Sequence, residues 1–341
     1  WLFDRLIDAE VKERRSAGAE EAGLSWAAQV SPRASWTLDP RSELIDADTG
    51  AGGTVSAGEF EPVLEVAGRM GWLGSVNVEA NTLDLVHRAA EDVVARYEAE
   101  GPLRLVPEVV RLRRHVQGLL HGHQHPRQRR RLYGLAARLS GLLGYMAVNC
   151  GKFLFAEAYC AEAFALATDG EDPDLQAWVR GTESLSAYYQ KRYADALEAA
   201  RDGQRHARRG PQAIRLAING EARALGRLGD RRGVDEAVER AYARLSELPA
   251  RGGLTPCISF EPYSEARVAA NAATAYLSLG ATSKVLDYAA QIESPVEESD
   301  SDWSRSLVRL DVATALIRQR QPDVEHVAEV GMRALQASAA N

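Results

Sequence analysis

The sequence predicts an all-α fold, an α-solenoid of about five helical hairpins with an irregular N-terminal segment. Ala, Leu, Arg and Glu dominate the composition and runs of β-branched residues are scarce, which favours helix over strand. From Asn81 onward, apolar residues recur at the helical period in segments divided by Gly, Pro and Asp. A hairpin motif also repeats along this part of the chain.

Each copy of the motif combines a helix, a short turn and an apolar anchor that opens a second helix. The anchors lie 40, 41, 51 and 39 residues apart, a period typical of stacked hairpins that cannot bury their apolar faces singly. Gly144 and Ala156 predict a close approach of the two helices in the first hairpin. The five anchors are Phe153, Tyr193, Val234, Val285 and Val324.

Two less regular zones precede the predicted repeats. Residues 1–37 contain one helical pattern and then a stretch that Pro32 interrupts. Residues 38–63 are rich in Gly, Asp, Ser and Thr and are predicted to be a linker or loop. The helical repeat domain is predicted to cover residues 64–341. Since the chain does not begin with Met, we expect a fragment whose native N-terminus lies upstream.

The composition indicates a cytoplasmic protein. Hydrophobic residues make up 45% and charged residues 26% of the 341 residues, and no apolar stretch is long enough for a membrane helix. The first residues lack a signal-peptide pattern, and the cysteines form no CxxC pair, which is typical of a reducing compartment. The net charge of -7 argues against a surface that binds nucleic acid throughout.

No motif predicts catalysis or a cofactor, so we expect a binding protein rather than an enzyme. Gly141 and Gly144 are followed by no Lys-Ser pair and are predicted to pack helices rather than to bind phosphate. The run from His121 to His125 places three imidazoles at alternate positions. It could converge on a metal, but no Cys, Asp or Glu is near to complete a site, and a solvated loop is the better interpretation.

A basic stretch marks the beginning of the repeats. Its arginines either pair with acids of neighbouring helices or contact DNA phosphates in support of a separate DNA-reading domain. The residues concerned are Arg111, Arg113, Arg114, Arg127, Arg129, Arg130 and Arg131.

The clearest functional pattern lies on the first helices of the hairpins. Arg215 and Asn219 precede their anchor at nearly the same offset at which Arg267 and Asn271 precede theirs. Residues four apart share a helix face, and first helices line the concave surface of a solenoid. Asparagine amides can bind a peptide backbone and arginine can bind a carboxylate. The predicted ligand-binding residues are Arg215, Asn219, Arg223, Arg267, Asn271, Arg305, Arg309, Trp178 and Tyr188, with Tyr189 and Tyr276 as further aromatic candidates.

The alternative is that these arginines form ordinary ion pairs and the tyrosines pack the repeats. Arg215, for example, could pair with Glu221. The sequence leaves both interpretations open.

Several phrases carry a resemblance to a known family. They stand at residues 129–151, 177–197, 221–230 and 266–280, and the similarity extends over about residues 80–340. The chain resembles the tetratricopeptide-repeat sensor region of actinobacterial, Streptomyces-type, helix-turn-helix transcriptional regulators. The resemblance implies a homodimeric, ligand- or peptide-responsive regulator whose solenoid binds the signal and mediates oligomerisation. The alternative function is a tetratricopeptide scaffold that binds a partner protein and has no role at DNA.

In such regulators a DNA-binding domain precedes the repeats. The one candidate within this chain is residues 19–36, with Gly23 as the turn and Ser25 as the cap of a recognition helix. Pro32 would stop that helix early, so a helix end followed by a loop is the better interpretation. We therefore expect DNA contact to come from a domain upstream of Trp1.

Overall fold

The computed structural model describes residues 63–74, 76–299 and 301–338, and every regular element within these ranges is a helix. The chain divides into two compact units, Trp1–Gly74 and Ser75–Asn341. The boundary thus follows Gly74 rather than residue 63. The predicted N-terminal segment 1–37, the DNA-reading candidate 19–36 and the linker up to residue 62 lie outside the described residues.

The first unit contributes helix α1 (Val63–Gly74) to the described residues. In the second unit, helices that are neighbours in sequence pack against each other. Helices α8 and α9 are joined without interruption by π-helical turns at Leu216–Ala222. The helices of this unit are α2 (Ala80–Glu100), α3 (Pro102–Leu120), α4 (Pro126–Asn149), α5 (Phe153–Asp169), α6 (Pro173–Tyr189), α7 (Tyr193–Ala207), α8 (Gln212–Arg215), α9 (Arg223–Leu228), α10 (Arg231–Leu245), α11 (Glu265–Ser278), α12 (Thr282–Gln291), α13 (Glu293–Glu297), α14 (Asp302–Ile317) and α15 (Val324–Ser338).

The predicted motif copies coincide with helix pairs. The pairs are α4–α5, α6–α7, the continuous α8–α9 with α10, α11–α12, and α14–α15. Gly229 ends α9 with φ 79°, the left-handed conformation that glycine adopts without strain. Val234 and Val285 are fully buried, as an anchor requires. The last anchor is wrong, because Val324 is 71% exposed, whereas Ala334 of the same helix is buried.

Close approaches between helices occur where the sequence supplies glycine. A Cβ on Gly144 would lie 2.9 Å from Cys160 Sγ, which confirms the predicted contact of α4 with α5. The tightest such place between backbones is Gly226 of α9, where a Cβ would lie 2.6 Å from the carbonyl oxygen of Ala275 in α11. Since a backbone carbonyl cannot rotate away as a side chain does, α9 and α11 can cross here only because residue 226 has no side chain.

Gly226→Ala is therefore expected to lower the free energy of unfolding by about 1–3 kcal/mol, as overpacking of a core does. The matched control is Gly118→Ala, since Gly118 is also helical but a Cβ there meets nothing within 4 Å. That change should stabilise the protein by roughly 0.5–1 kcal/mol, the usual gain from alanine in a helix. Urea unfolding of both variants checks the contrast, and equal effects would show that α9 and α11 do not approach so closely.

Two helices near opposite ends of the second unit contact each other. Helix α2 contacts α14, and the Ser304 hydroxyl donates a hydrogen bond to Glu98 Oε2 at 2.9 Å across 206 residues of sequence. Glu98 Oε1 also faces Arg267 Nη2 of α11 at 3.3 Å. This buried polar network ties three helices that no sequence period relates.

The connection 246–264 between α10 and α11 is the longest one between helices of the second unit. The sequence predicted only a break at 249–256. In the structure, residues 247–253 are exposed, whereas Ile258, Ser259, Tyr263 and Ser264 are buried. We call residues 254–264 the inner segment. Long ordered connections of this kind are uncommon and are frequently functional.

Among the described residues, no helix has the length and apolar character needed to cross a membrane.

Candidate ligand-binding face

The predicted site residues fall into three groups. Six of the nine are buried: Trp178 is 0%, Arg215 1%, Arg267 3%, Asn271 6%, Asn219 7% and Tyr188 8% exposed. The prediction that they line an open surface is therefore wrong for this conformation. The inner segment and the neighbouring helices cover them.

Arg215 joins helices α8 and α6. Its guanidinium donates hydrogen bonds to the carbonyl oxygen of Trp178 at 2.8 Å and to the Thr182 hydroxyl at 3.2 Å. It also lies over the Trp178 ring, 4.8 Å from the centroid, a cation–π contact that desolvation strengthens. Arg215 thus packs the repeats, although not through the anticipated pair with Glu221.

Arg267 fixes the beginning of the inner segment. It donates hydrogen bonds to the carbonyl oxygen of Thr255 and, at 2.8 Å, to the Ser304 hydroxyl. Asn271 donates to the carbonyl oxygen of Arg267 at 2.9 Å. Because these donors already have acceptors within the chain, Arg267 and Asn271 hold the fold in this state.

The inner segment lies against side chains from several first helices. The Trp178 indole N–H donates to the carbonyl oxygen of Ser259 at 3.0 Å, and the Gln212 amide donates to that of Phe260 at 2.6 Å. The Phe260 ring packs on Trp178 with 4.6 Å between centroids. The Arg138 guanidinium lies over the Phe260 ring at 4.8 Å. We call the side chains that contact the segment the inner face: Arg138, Trp178, Gln212, Asn219 and Arg267.

Tyr263 connects the inner segment with Asn219. Its hydroxyl donates to the carbonyl oxygen of Cys257 at 2.8 Å and accepts a hydrogen bond from Asn219 at 3.3 Å. Asn219 was predicted to bind an extended chain through its amide, and here it contacts a residue of the inner segment. Sequence reasoning missed Arg138, Gln212 and Phe260, since the connection has no period from which their contacts could be inferred.

Arg305 and Arg309 belong to a different neighbourhood. Arg305 binds Asp302 and donates to the carbonyl oxygen of Ser299 at 2.6 Å. Arg309 pairs with Glu297 at 2.6 Å. Neither donates a hydrogen bond to the inner segment, so the structure does not place these two with the other predicted site residues.

Arg223 forms the third group together with the predicted Tyr188. Its guanidinium lies 4.4 Å from the centre of the Tyr188 ring and donates a hydrogen bond to Asn219 Oδ1 at 2.5 Å. Its Nε is buried and has no hydrogen-bond acceptor within residues 63–74, 76–299 and 301–338. The nearby Glu221 pairs instead with Arg201 at 3.2 Å and Arg240 at 2.6 Å. Arg223 is thus a half-buried cation with one N–H group, at Nε, that makes no hydrogen bond to the described residues.

Further polar groups surround Arg223. Arg227 Nε donates to the Tyr188 hydroxyl at 3.2 Å, and Tyr189 hydrogen-bonds Arg223. Asp311 of α14 accepts a hydrogen bond from the Thr274 hydroxyl at 2.5 Å. We call this set the Arg223 cluster: Tyr188, Tyr189, Arg223, Arg227, Thr274 and Asp311. Tyr276 stays outside it, because its hydroxyl donates to Asp235 Oδ1 at 2.6 Å and its ring stacks on Tyr288.

Burial raises the pKa of Asp311 to about 6, although the Thr274 hydroxyl and the charges of Arg223, Arg227 and Arg318 act to lower it. Desolvation therefore outweighs the nearby positive charge. A carboxyl group that titrates near neutrality beside half-buried arginines is a feature of binding sites more than of ordinary surfaces.

Asp311→Asn is expected to stabilise the protein at pH 7.5 and to be nearly neutral at pH 4. The folded-state pKa lies above the unfolded value near 4, so the folded protein loses stability as pH rises through about 4–6. An amide avoids that cost and still accepts from Thr274. We expect a gain of about 1–3 kcal/mol at pH 7.5 in urea unfolding. A loss of stability at pH 7.5 would show that Asp311 forms a net favourable ion pair.

The basic stretch is largely paired within the chain. Arg113 is buried and donates to Ser140 Oγ at 2.8 Å and to Glu162 at 2.5 Å. Arg130 pairs with Glu171, and Arg131 with Asp84 at 2.7 Å. Arg129 donates to Gln124 Oε1 at 3.0 Å and to the Tyr133 hydroxyl at 3.1 Å. The expected pairing with acids holds for Arg113, Arg130 and Arg131, whereas Arg129 bonds to neutral groups. Arg111, Arg114 and Arg127 are exposed.

The histidine run ends in a helix cap. His125 Nδ1 accepts from the backbone N–H of Arg127 at 3.3 Å, and Gln128 bonds back to the His125 backbone, which makes a capping box at the beginning of α4. The described ranges contain no group of three or more His, Cys, Asp or Glu placed to hold a metal.

Comparison of the chain with protein-family models, curated proteins and solved structures finds no match in any of the three.

Proposed function

We propose that this chain is the signal-sensing part of a cytoplasmic transcriptional regulator. Its helix pairs form a tetratricopeptide-like solenoid, and a peptide or small molecule binds at the Arg223 cluster. Binding changes the geometry of a homodimer and so repositions a DNA-binding part. The resemblance of the phrases at 129–151 and 266–280 to regulator sensor regions supports this proposal. The observation that carries it is the incompletely satisfied cation of Arg223.

The chemistry of the cluster favours an anionic or zwitterionic group. A ligand carboxylate would accept from Arg223 Nε, which has no acceptor among the described residues, and charge-assisted hydrogen bonds to arginine are strong and directional. The Tyr188 ring beneath the guanidinium would add an apolar wall. Asp311 offers a negative charge for a ligand amine. Unpaired polar atoms in a folded interior cost free energy, and a ligand that satisfies them recovers it.

The helix arrangement is compatible with a solenoid. The motif anchors recur 40, 41, 51 and 39 residues apart, and neighbouring helices pack in sequence order. In a solenoid each repeat contacts mainly its neighbours. A small rotation between two neighbouring hairpins therefore changes the curvature of the whole solenoid. The contact of α2 with α14 would pass such a change between the two ends.

The test of the regulator proposal is binding of the full-length protein to genomic DNA fragments across a salt series. Sequence-selective binding with a steep dependence on salt concentration is expected, because phosphate contacts release counterions. Absence of selective binding by folded protein would refute the proposal. The scaffold function would then be preferred, and partner capture on the immobilised chain would follow.

The role of the cluster is tested by Arg223→Met in a reporter strain. Methionine retains the packing on Tyr188 but removes the charge, so we expect at least a fivefold change in expression of the target gene. The matched control is Arg232→Met, because Arg232 is exposed and pairs with Glu236 at its helix surface. Equal behaviour of both variants and the wild type would exclude the Arg223 cluster as the signal site.

A further inference from the structure

We propose that the inner segment is a built-in occupant of a peptide-binding site. This site takes a peptide that repeats the turn from Pro256 to Ser259, where the Ser259 N–H donates to the Pro256 carbonyl oxygen at 3.1 Å, and that has an aromatic side chain in the place of Phe260. The inference rests on the proposed use of the repeat helices for ligand binding. It is independent of whether the protein acts at DNA.

The inner face holds the segment through its main chain. Trp178 and Gln212, from separate helices, donate to the carbonyl oxygens of two successive residues, Ser259 and Phe260. Side-chain donors that bind main-chain carbonyls accept many sequences, since every residue supplies the same acceptor. The arrangement is therefore suited to peptides in general, and the inner segment is one that is covalently attached.

The inner segment does not satisfy every polar group of Gln212. Its side chain is almost fully buried, and its Oε1 accepts no hydrogen bond from the part of the chain that the structure describes. A buried amide oxygen without a partner costs free energy. A peptide that lies slightly differently from the inner segment could supply a backbone N–H to this atom, so the site is not optimised for its present occupant.

Specificity comes from the slot around Phe260. We use the word slot for the place of the Phe260 ring, which packs on the tilted Trp178 indole with 4.6 Å between centroids and has the Arg138 guanidinium 4.8 Å from its centre. An aromatic ring is attracted both by stacking and by the cation, and an aliphatic side chain gains neither contact. Ile258 is fully buried in the core that α2–α6 form. The preferred ligand therefore has an aliphatic residue two positions before its aromatic one.

The flanking chain is suited to movement of the segment. Residues 247–253 are exposed, and Gly253 adopts φ 71° in open space, where a Cβ would meet nothing within 4 Å. Exposed residues with few contacts are where local opening costs least. A tethered occupant competes at the high effective concentration that a short linker gives. An external peptide thus binds more tightly when the internal occupant is weakened.

The experiment measures binding of a fluorescent peptide with the sequence of residues 254–263, with serine in place of its cysteine, to the full-length protein. Fluorescence anisotropy gives the Kd for the wild type and for Phe260→Ala, in which the slot is empty but its walls are intact. We expect the Kd of Phe260→Ala to be at least tenfold lower than that of the wild type. A peptide with alanine in place of its phenylalanine should lose this advantage.

The control is Glu329→Ala, which removes an exposed side chain paired with Arg333 on α15, outside the inner segment and the inner face, and should bind the peptide as the wild type does. If Phe260→Ala does not fold, Phe260→Leu serves instead, with an expected gain of at least threefold. A folded variant that binds the peptide no better than the wild type would overturn the inference. So would equal binding of the alanine peptide. Neither result bears on DNA binding, which is measured separately.

Discussion

Glu98→Ala is expected to lower the free energy of unfolding by about 3–5 kcal/mol, because it leaves a buried charge without its partner. Arg267, whose side chain is 3% exposed, faces Glu98 at 3.3 Å. Glu98 also accepts from the Cys257 backbone N–H at 2.9 Å and from the Ser304 hydroxyl at 2.9 Å. One carboxylate thus connects α2 with α11, α14 and the inner segment, and its removal should loosen all four at once. Urea unfolding followed by circular dichroism measures the loss.

Glu100→Ala is the matched control on the same helix. Glu100 pairs with Arg96 at 3.1 Å in a partly exposed position, and such pairs contribute about 0–1 kcal/mol. The double variant Glu98→Ala with Arg267→Met should regain part of the lost stability, because it removes the isolated charge as well. A Glu98→Ala protein as stable as Glu100→Ala would contradict the network.

Trp178→Ala should be comparably severe, with an expected loss of about 3–5 kcal/mol. The indole is fully buried, contacts the Tyr145 and Phe260 rings, and lies under the Arg215 guanidinium. Truncation would create a cavity between α6 and the inner segment and would remove the donor to Ser259. Urea unfolding measures the loss, and hydrogen exchange should show faster exchange in residues 254–263 than in α12.

Trp178→Phe separates packing from hydrogen bonding at the same position. It keeps most of the apolar contact but leaves the buried carbonyl oxygen of Ser259 without its donor, which costs about 1–3 kcal/mol. A Trp178→Phe protein with wild-type stability and wild-type exchange in the inner segment would show that the indole N–H does not hold the segment.

Local features of the fold were predictable because helices and tight turns are encoded in neighbouring residues. The period of the anchors and glycines such as Gly229 located the helix pairs. The prediction of Val324 as a buried anchor is wrong, because no further repeat among the described residues covers the beginning of the last helix. The contact of Glu98 with Ser304 depends on how the whole row of helices curves, and no local pattern encodes that.

The candidate site was predictable in part. The spacing of four puts Arg267 and Asn271 on one helix face, and the Asn271 amide donates to the backbone carbonyl oxygen of Arg267. Whether that face is open depends on the connection 246–264, whose sequence has no period and whose path is set by long-range contacts. The sequence therefore did not indicate that Phe260 and Gln212 belong to the candidate site. It did not indicate Asp311 either, because its raised pKa arises from burial by helices distant in sequence.

We propose that ligand binding at the Arg223 cluster controls DNA binding by the full-length protein. The most direct test is the operator affinity of the full-length wild type, of Arg223→Met and of Arg232→Met under identical salt, since Arg232 is exposed and pairs with Glu236 at its helix surface. We predict at least a fivefold change in Kd for Arg223→Met and none for Arg232→Met. A folded Arg223→Met protein that binds the operator with wild-type affinity would contradict this proposal.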